Sequence, residues 1–327
     1  MRAALLEHLP AEKLAIADVK DPKPSPHELL VRVEACGICG TDIHILAGHS
    51  YRPPLPFVIG HEPVGVVVAA GAETLKDWIG RRITMTIFEG CGHCAYCQAG
   101  DERLCLDPRS ALGVLNRWGG FAEMMTIPAA QVVDIPAGLD SVHAATLVDA
   151  GVTAANAVAK LPKTIGSVVV VGMGPVGFFV GALLRHANVE PTVIETNALR
   201  ASEARKQGFQ VLQNADAVEF RPDAVLDCTG VAAVLPWALR VLRPRGLFMV
   251  VGYSVVPEVD MAFVSRKELI IQGVRSGSRS NLQQVVALAA EGRIKLPAVQ
   301  TWRLDGINEA LAELRAGSVA GKAVVVP

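Results

Sequence analysis

The sequence predicts an α/β protein in which a barrel-like β domain is joined to a doubly wound parallel sheet. Three observations predict it. Short β-like runs separated by turn residues fill residues 1 to about 147. Near residue 150 the pattern changes to apolar strands alternating with amphipathic helices. A glycine-rich turn then falls between one of those strands and the helix that follows it.

In chain order, residues 29–33 and 64–68 are the clearest strands of the first part. Pro22, Pro24 and Pro26 punctuate the chain before the first of them, and Pro53, Pro54 and Pro56 before the second. Val168–Val171 is a continuous β-branched run, as expected of a parallel strand buried on both faces. Residues 175–187 place Val176, Phe179, Val180, Leu183 and Leu184 at helical spacing. Further strands are expected at 191–195, 224–228, 246–251 and 269–273, and helices at 282–291 and 306–316. The last apolar run, 323–326, is a short strand able to return to the first domain. The chain has no internal repeat and no low-complexity tract.

A length of 327 residues suggests two domains, and 51% hydrophobic with 19% charged residues is ordinary globular composition. A net charge of −1 gives no electrostatic case for nucleic acid or a membrane surface. No apolar run is long enough to span a bilayer, and the N-terminus soon turns charged, unlike a signal peptide. The seven cysteines are an odd number, and their C-x2-C spacings favour metal over disulfides, which fits a reducing cytoplasm.

Cys91, Cys94, Cys97 and Cys105 read C-x2-C-x2-C-x7-C. Four thiolates in a tight loop suit a tetrahedral zinc at about 2.3 Å and leave no open position, so this metal is expected to be structural. The long last gap, and Leu106 where proline would follow, argue against an iron–sulfur cluster. A zinc-ribbon nucleic-acid binder is also disfavoured, because Asp101, Glu102 and Asp107 flank Arg103 and Arg109.

Gly172-Met173-Gly174-Pro175-Val176-Gly177 is G-x-G-x-x-G in the strand-to-helix context that the motif requires. Gly172 permits the tight turn, Gly174 lets the backbone approach a pyrophosphate, and Gly177 lets helix and strand pack closely. Pro175 suits the first helical position, and the helix N-terminus then faces phosphate. Glu195 lies twenty-three residues after Gly172, where a carboxylate accepts hydrogen bonds from ribose hydroxyls and repels a 2′-phosphate. This favours NAD over NADP. Arg200 weighs the other way, because it can swing toward a phosphate or cover the adenine.

A second metal site is suggested by Cys36-Gly37-Ile38-Cys39-Gly40-Thr41-Asp42-Ile43-His44 and Gly60-His61-Glu62. One cysteine and one histidine do not complete a zinc site, and spacing alone does not identify a third ligand. Cys36 and Cys39 also fit a second thiolate pair or a redox pair.

Together these motifs, with Gly321-Lys322 near the end, resemble the zinc-dependent medium-chain dehydrogenases, the alcohol dehydrogenase superfamily, over essentially the whole chain. The resemblance implies a GroES-like catalytic domain over 1–148 with a structural zinc lobe at about 90–106. It also implies an inserted Rossmann domain over 149–280 and a return to the catalytic domain over 281–327. It implies two zincs per chain, with Cys39, His61 and Asp149 on the catalytic one and Glu62 able to bind when water or substrate leaves. Asp42 would orient the His61 ring, Thr41 would meet the alcohol, and His44 would end a proton relay through the cofactor ribose. Lys322 would contact the pyrophosphate from the other domain, and Thr153 would pack near the nicotinamide. Cys36 has no ligand role in that family.

The implied activity is hydride transfer from a small primary or secondary alcohol to NAD. Polyol, sugar or L-threonine oxidation is the alternative, and a non-catalytic zinc-stabilised nucleotide-binding protein the distant one. A homodimer or homotetramer is the implied assembly. Ile87, Phe88, Leu115 and Trp118 are candidate substrate-pocket walls.

Overall fold

The computed structural model describes residues 1–327 except 50, 253, 254 and 256–258. The chain divides into two compact units, Met1–Val152 with Gly277–Gly292 and Ala298–Pro327, and Thr153–Ser276 with Arg293–Pro297.

The first unit is organised on one long strand, Glu28–Ile38, longer at both ends than the apolar run in the sequence suggests. The extra length comes from pairing, because three antiparallel strands, Met124–Pro128 among them, supply ladder bonds where the residue pattern itself is weak. On one side lies Glu62–Ala70, with Glu62 opposite Gly37. On the other lies the chain's last strand, Lys322–Val326, with Ala323 opposite Ile38 and Val325 opposite Cys36. The terminal strand thus returns to the first unit. The core of this unit gathers Leu6, Leu29, Ile38, Phe57, Ile59 and Phe121, all nearly or fully buried.

The second unit holds a six-stranded sheet whose pairings are all parallel. Val168–Val171 is central and buried along its whole length. Thr192–Ile194 and Gln210–Leu212 lie to one side of it, and Ala224–Asp227, Leu247–Val250 and Ile270–Gly273 to the other. The chain therefore reverses its winding direction at Val168–Val171. Register places Val171 level with Ile194 and Asp227, so the turns after these three strands meet at one edge of the sheet. Ligands of open parallel sheets bind at such a switch point, beyond the carboxyl ends of the strands. The Gln210–Leu212 strand was not evident in the sequence, since its three residues are at most half-buried and carry no alternating pattern.

Candidate functional site

Cys39 directly follows the central strand of the first unit and caps the short helix Gly40–Leu46. Its amide donates to Asp42 Oδ2 at 2.8 Å. The other Asp42 oxygen lies 3.2 Å from His61 Nδ1. One buried carboxylate therefore fixes the loop that carries Cys39 and also sets the His61 ring. A histidine that donates Nδ1–H to a carboxylate presents Nε2 as a metal ligand.

Asp149 arrives from a different direction. Leu147–Gly151 forms a π-helical turn, in which the Gly151 amide reaches back five residues to the Thr146 carbonyl. Single π turns inside helices recur at functional sites. This one brings Asp149 Oδ2 to 3.5 Å from Cys39 Sγ and 3.7 Å from His61 Nε2. Glu62 completes the group, with Oε1 at 3.9 Å from His61 Nε2. One ligand atom from each of Cys39, His61, Glu62 and Asp149 lies within 4.8 Å of the others. Thiolate, imidazole and carboxylate in this number suit zinc.

The electrostatics of the group match a cation site. Burial disfavours a charged His61 ring, but the Asp42 and Asp149 carboxylates outweigh it and hold its pKa well above the usual imidazole range. Burial, reinforced by Asp149, raises the Cys39 thiol. Asp149 is held below the usual carboxylate range because His61 outweighs its own burial. Protons on His61 and Cys39 must leave before both become ligands, so metal and proton compete for this site.

Lys322 lies in the same cluster. Its Nζ is 2.6 Å from Glu62 Oε1, and both side chains are buried. Burial works against the lysine charge, but Glu62 and Cys39 outweigh it and raise its pKa. Removing one partner of such a buried pair costs about 3–5 kcal/mol, because the other charge is left uncompensated. Lys322 was not identified in the sequence as the partner of Glu62. The two are 260 residues apart, and only the strand register brings them together.

Thr41 Oγ1 lies 3.7 Å from Cys39 Sγ, at the cluster's edge, and His44 is exposed one helical turn further on. Cys36 lies outside the cluster, fully buried in the core. Of the candidate pocket walls, Ile87 is buried in the first unit's core and Leu115 packs against it. Phe88 lines a cavity of about 520 Å³ together with Gly90, Glu102 and Cys97, on the side of the four-cysteine lobe.

Cys91, Cys94, Cys97 and Cys105 form the second cluster, with the sulfurs of Cys91 and Cys97, and of Cys94 and Cys105, each 3.9 Å apart. Sulfurs placed about 2.3 Å from a zinc at tetrahedral corners stand about 3.8 Å from one another. Backbone amides of Cys91 and Asp107 point at Cys105 Sγ, and that of Cys94 at Cys91 Sγ. The amides of Leu106 and Cys97 lower the Cys94 thiol to about 6, into the range where a thiolate ligand is available at neutral pH.

In the second unit, Gly172 adopts φ +88°, and a side chain at Gly177 would collide with the Gly172 carbonyl. Gly174 caps the helix Pro175–His186, with Pro175 and Val176 in its first turn. Glu195 is buried and makes two backbone bonds, accepting from the Met173 amide at 2.7 Å and the Asn197 amide at 2.7 Å. It therefore ties the glycine-rich turn to the next strand's loop, a tie not foreseen in the sequence. Each carboxylate oxygen still has lone-pair capacity for a ribose hydroxyl. Arg200 Nε stands 3.5 Å from Glu195 Oε2, so its charge is engaged with Glu195. Thr153 is buried at the start of this unit.

Comparison with known proteins gives two family matches. Residues 25–137 match the alcohol dehydrogenase GroES-like domain, and residues 201–325 match the zinc-binding dehydrogenase family. The chain is 30% identical to an alcohol dehydrogenase of Geobacillus stearothermophilus, with 99% of this chain and 98% of the relative covered. It is 29% identical to an L-threonine 3-dehydrogenase of Photobacterium profundum, with 98% of each covered. The solved structure of acetophenone reductase from Geotrichum candidum in complex with NAD superposes with a TM-score of 0.91 at 25% identity, covering 100% of this chain and 97% of that one.

Proposed function

The chain belongs to the zinc-dependent medium-chain alcohol dehydrogenase superfamily and is an oxidoreductase of that type, and from this premise we propose that it transfers hydride from a small primary or secondary alcohol to NAD. The observation that carries the reading is the convergence of Cys39, His61, Glu62 and Asp149, with His61 oriented by Asp42, in a chain that also builds a dinucleotide turn. Cys39, His61 and Asp149 would hold the catalytic zinc. When bound, zinc supplies a Lewis acid that lowers the pKa of an alcohol, and NAD supplies the hydride acceptor.

The protein's own groups bind, orient and move the proton. Asp42 keeps Nε2 of His61 directed into the cluster. The Thr41 hydroxyl, at the cluster's edge, would take the proton of the bound alcohol as it gives up its own, so that it relays the proton without changing charge. His44, three residues on and exposed, passes it to solvent. Glu195 favours NAD, since a buried carboxylate beside the ribose repels a 2′-phosphate.

L-threonine is the second reading of the substrate, favoured by the 29% identical relative. Purified protein is to be screened by reduced-nicotinamide absorbance, crossing NAD and NADP with simple alcohols, diols, polyols, sugars and threonine. Turnover of simple alcohols with NAD is the expected result. Turnover confined to polyols, sugars or threonine would move the substrate class and keep the metal chemistry. Silence from protein holding two zincs per chain would count against every substrate in the panel.

The reading extends to a homo-oligomer. Ile270–Gly273 is the edge strand of the parallel sheet, and Ile270 and Ile271 are 55% and 42% exposed. An apolar edge without blocking charges is a template for adding another strand, and a second copy related by a two-fold axis supplies an identical one. Sedimentation velocity should show a dimer or tetramer that Ile271→Lys dissociates. A wild-type monomer would end this part of the proposal.

A further inference from the structure

Four donor side chains converge on one point, whereas the proposed chemistry needs three. Ligand atoms of Cys39, His61, Glu62 and Asp149 lie within 4.8 Å of one another. Four protein ligands make a closed site of the structural kind, while a catalytic zinc keeps one position for water or substrate. One donor therefore has to be held back.

The geometry singles out Glu62. Its Oε1 is engaged by Lys322 Nζ at 2.6 Å, in a pair with both side chains buried. The oxygen that the lysine holds is the one near the cluster, 3.9 Å from His61 Nε2, whereas Oε2 is turned toward Gly37 and buried without a hydrogen-bond partner among the described residues. Gly37 makes room for the pair: a Cβ there would collide with Glu62 Oε2 and Lys322 Cε. The pair is also fixed from both sides of the central strand. Glu62 stands opposite Gly37 on one neighbouring strand, and Lys322 precedes Ala323, opposite Ile38, on the other.

We propose that Lys322 sets the coordination number of the catalytic metal, holding Glu62 in an ion pair so that the fourth position stays open. Without the lysine charge, Glu62 turns to the metal and closes the site. Lys322 is thus a positioning residue: it touches neither metal nor substrate in this role and acts through Glu62. The proposal rests on the reading of Cys39, His61 and Asp149 as a metal site.

The test is made on the full-length protein with cobalt(II) exchanged for zinc. Its visible absorption reports coordination, and an imidazole titration reports access to an open position. The wild type should bind imidazole with a saturable spectral change. Lys322→Met should bind it about tenfold more weakly if the Glu62-closed form outweighs the open form by about ten to one. Lys322→Arg keeps the pair and should titrate like the wild type. Lys322→Met/Glu62→Gln removes the closing carboxylate and should recover wild-type affinity.

Should Lys322→Met fail to fold, Lys322→Gln takes its place, with a smaller loss expected and the same recovery in Lys322→Gln/Glu62→Gln. Unchanged imidazole affinity in the folded single variant, at wild-type cobalt content, would overturn the proposal. An equal loss in the single and double variants would overturn it too, because Lys322 would then serve only to support the structure. Wild-type protein holding one metal per chain would instead overturn the metal-site reading, and the proposal with it.

Discussion

Cys39→Ser should abolish turnover and halve the zinc content, from two ions per chain to one, with the fold and NAD affinity preserved. Cys39 is the thiolate of the Cys39–His61–Glu62–Asp149 group, and a neutral hydroxyl is a far poorer zinc ligand. Lewis-acid stabilisation by zinc is worth several kcal/mol of the barrier, so the rate should fall on the order of 10³-fold or more. The fold should survive because serine can take the place of the cysteine in the local capping box. The Cys39 amide, not its side chain, holds the Asp42 carboxylate, and serine is a good residue at a helix N-cap. NAD affinity should survive because the glycine-rich turn and Glu195 belong to the other unit. Metal analysis, turnover and a cofactor titration on the same preparation check all three. Full activity, or a loss of NAD binding as large as the loss of turnover, would remove Cys39 from the role given to it.

Cys94→Ser should act on stability instead. Between residues 91 and 107 only Cys91 and Arg103 are buried, and the one α-helix, Ala95–Gln98, has four residues. This lobe has too little apolar burial to hold its shape, so the thiolate cluster must hold it. Tyr96, Leu104 and Leu106 are 42%, 37% and 77% exposed, which leaves little core to fall back on. Structural zinc binding is itself folding free energy, and losing even ~4 kcal/mol of it lowers the melting temperature by ~10 °C for a domain of this size. Residual turnover per folded molecule should stay near that of the wild type, because the Cys39 cluster is intact. Thermal unfolding with zinc analysis checks this, and an unchanged melting temperature after loss of one zinc would count against a structural ion.

The two variants also mark what could be read from the residues. The four-cysteine lobe, the glycine turn and the buried Val168–Val171 strand are local patterns, in which spacing alone dictates geometry. Cys39, His61 and their neighbours were legible through resemblance, since the third ligand sits more than eighty residues beyond His61. Three features were not legible. The Lys322–Glu62 pair depends on two strand registers at once, and no window of sequence contains both. The bond from Met173 to Glu195 joins backbone to side chain, so the identity of residue 173 carries no trace of it. The walls around a substrate are set by tertiary packing, so no residue pattern shows that Ile87 belongs to the core or that Phe88 lines a cavity beside the cysteine lobe.

The π turn at Leu147–Gly151 has a consequence of its own. It holds one residue more than a regular helical turn would. Taking a single residue out of that stretch would leave a continuous α-helix, with every chemical group of the ligand set still present in the chain. Side chains on one side of the deletion would swing by about 100° relative to those on the other, the angular step of one residue. Asp149 would then face away from Cys39 and His61 although its codon was unchanged. At this place in the chain, residue number matters as much as residue identity, and gain or loss of a single codon is a route by which such a metal centre can be switched off or acquired.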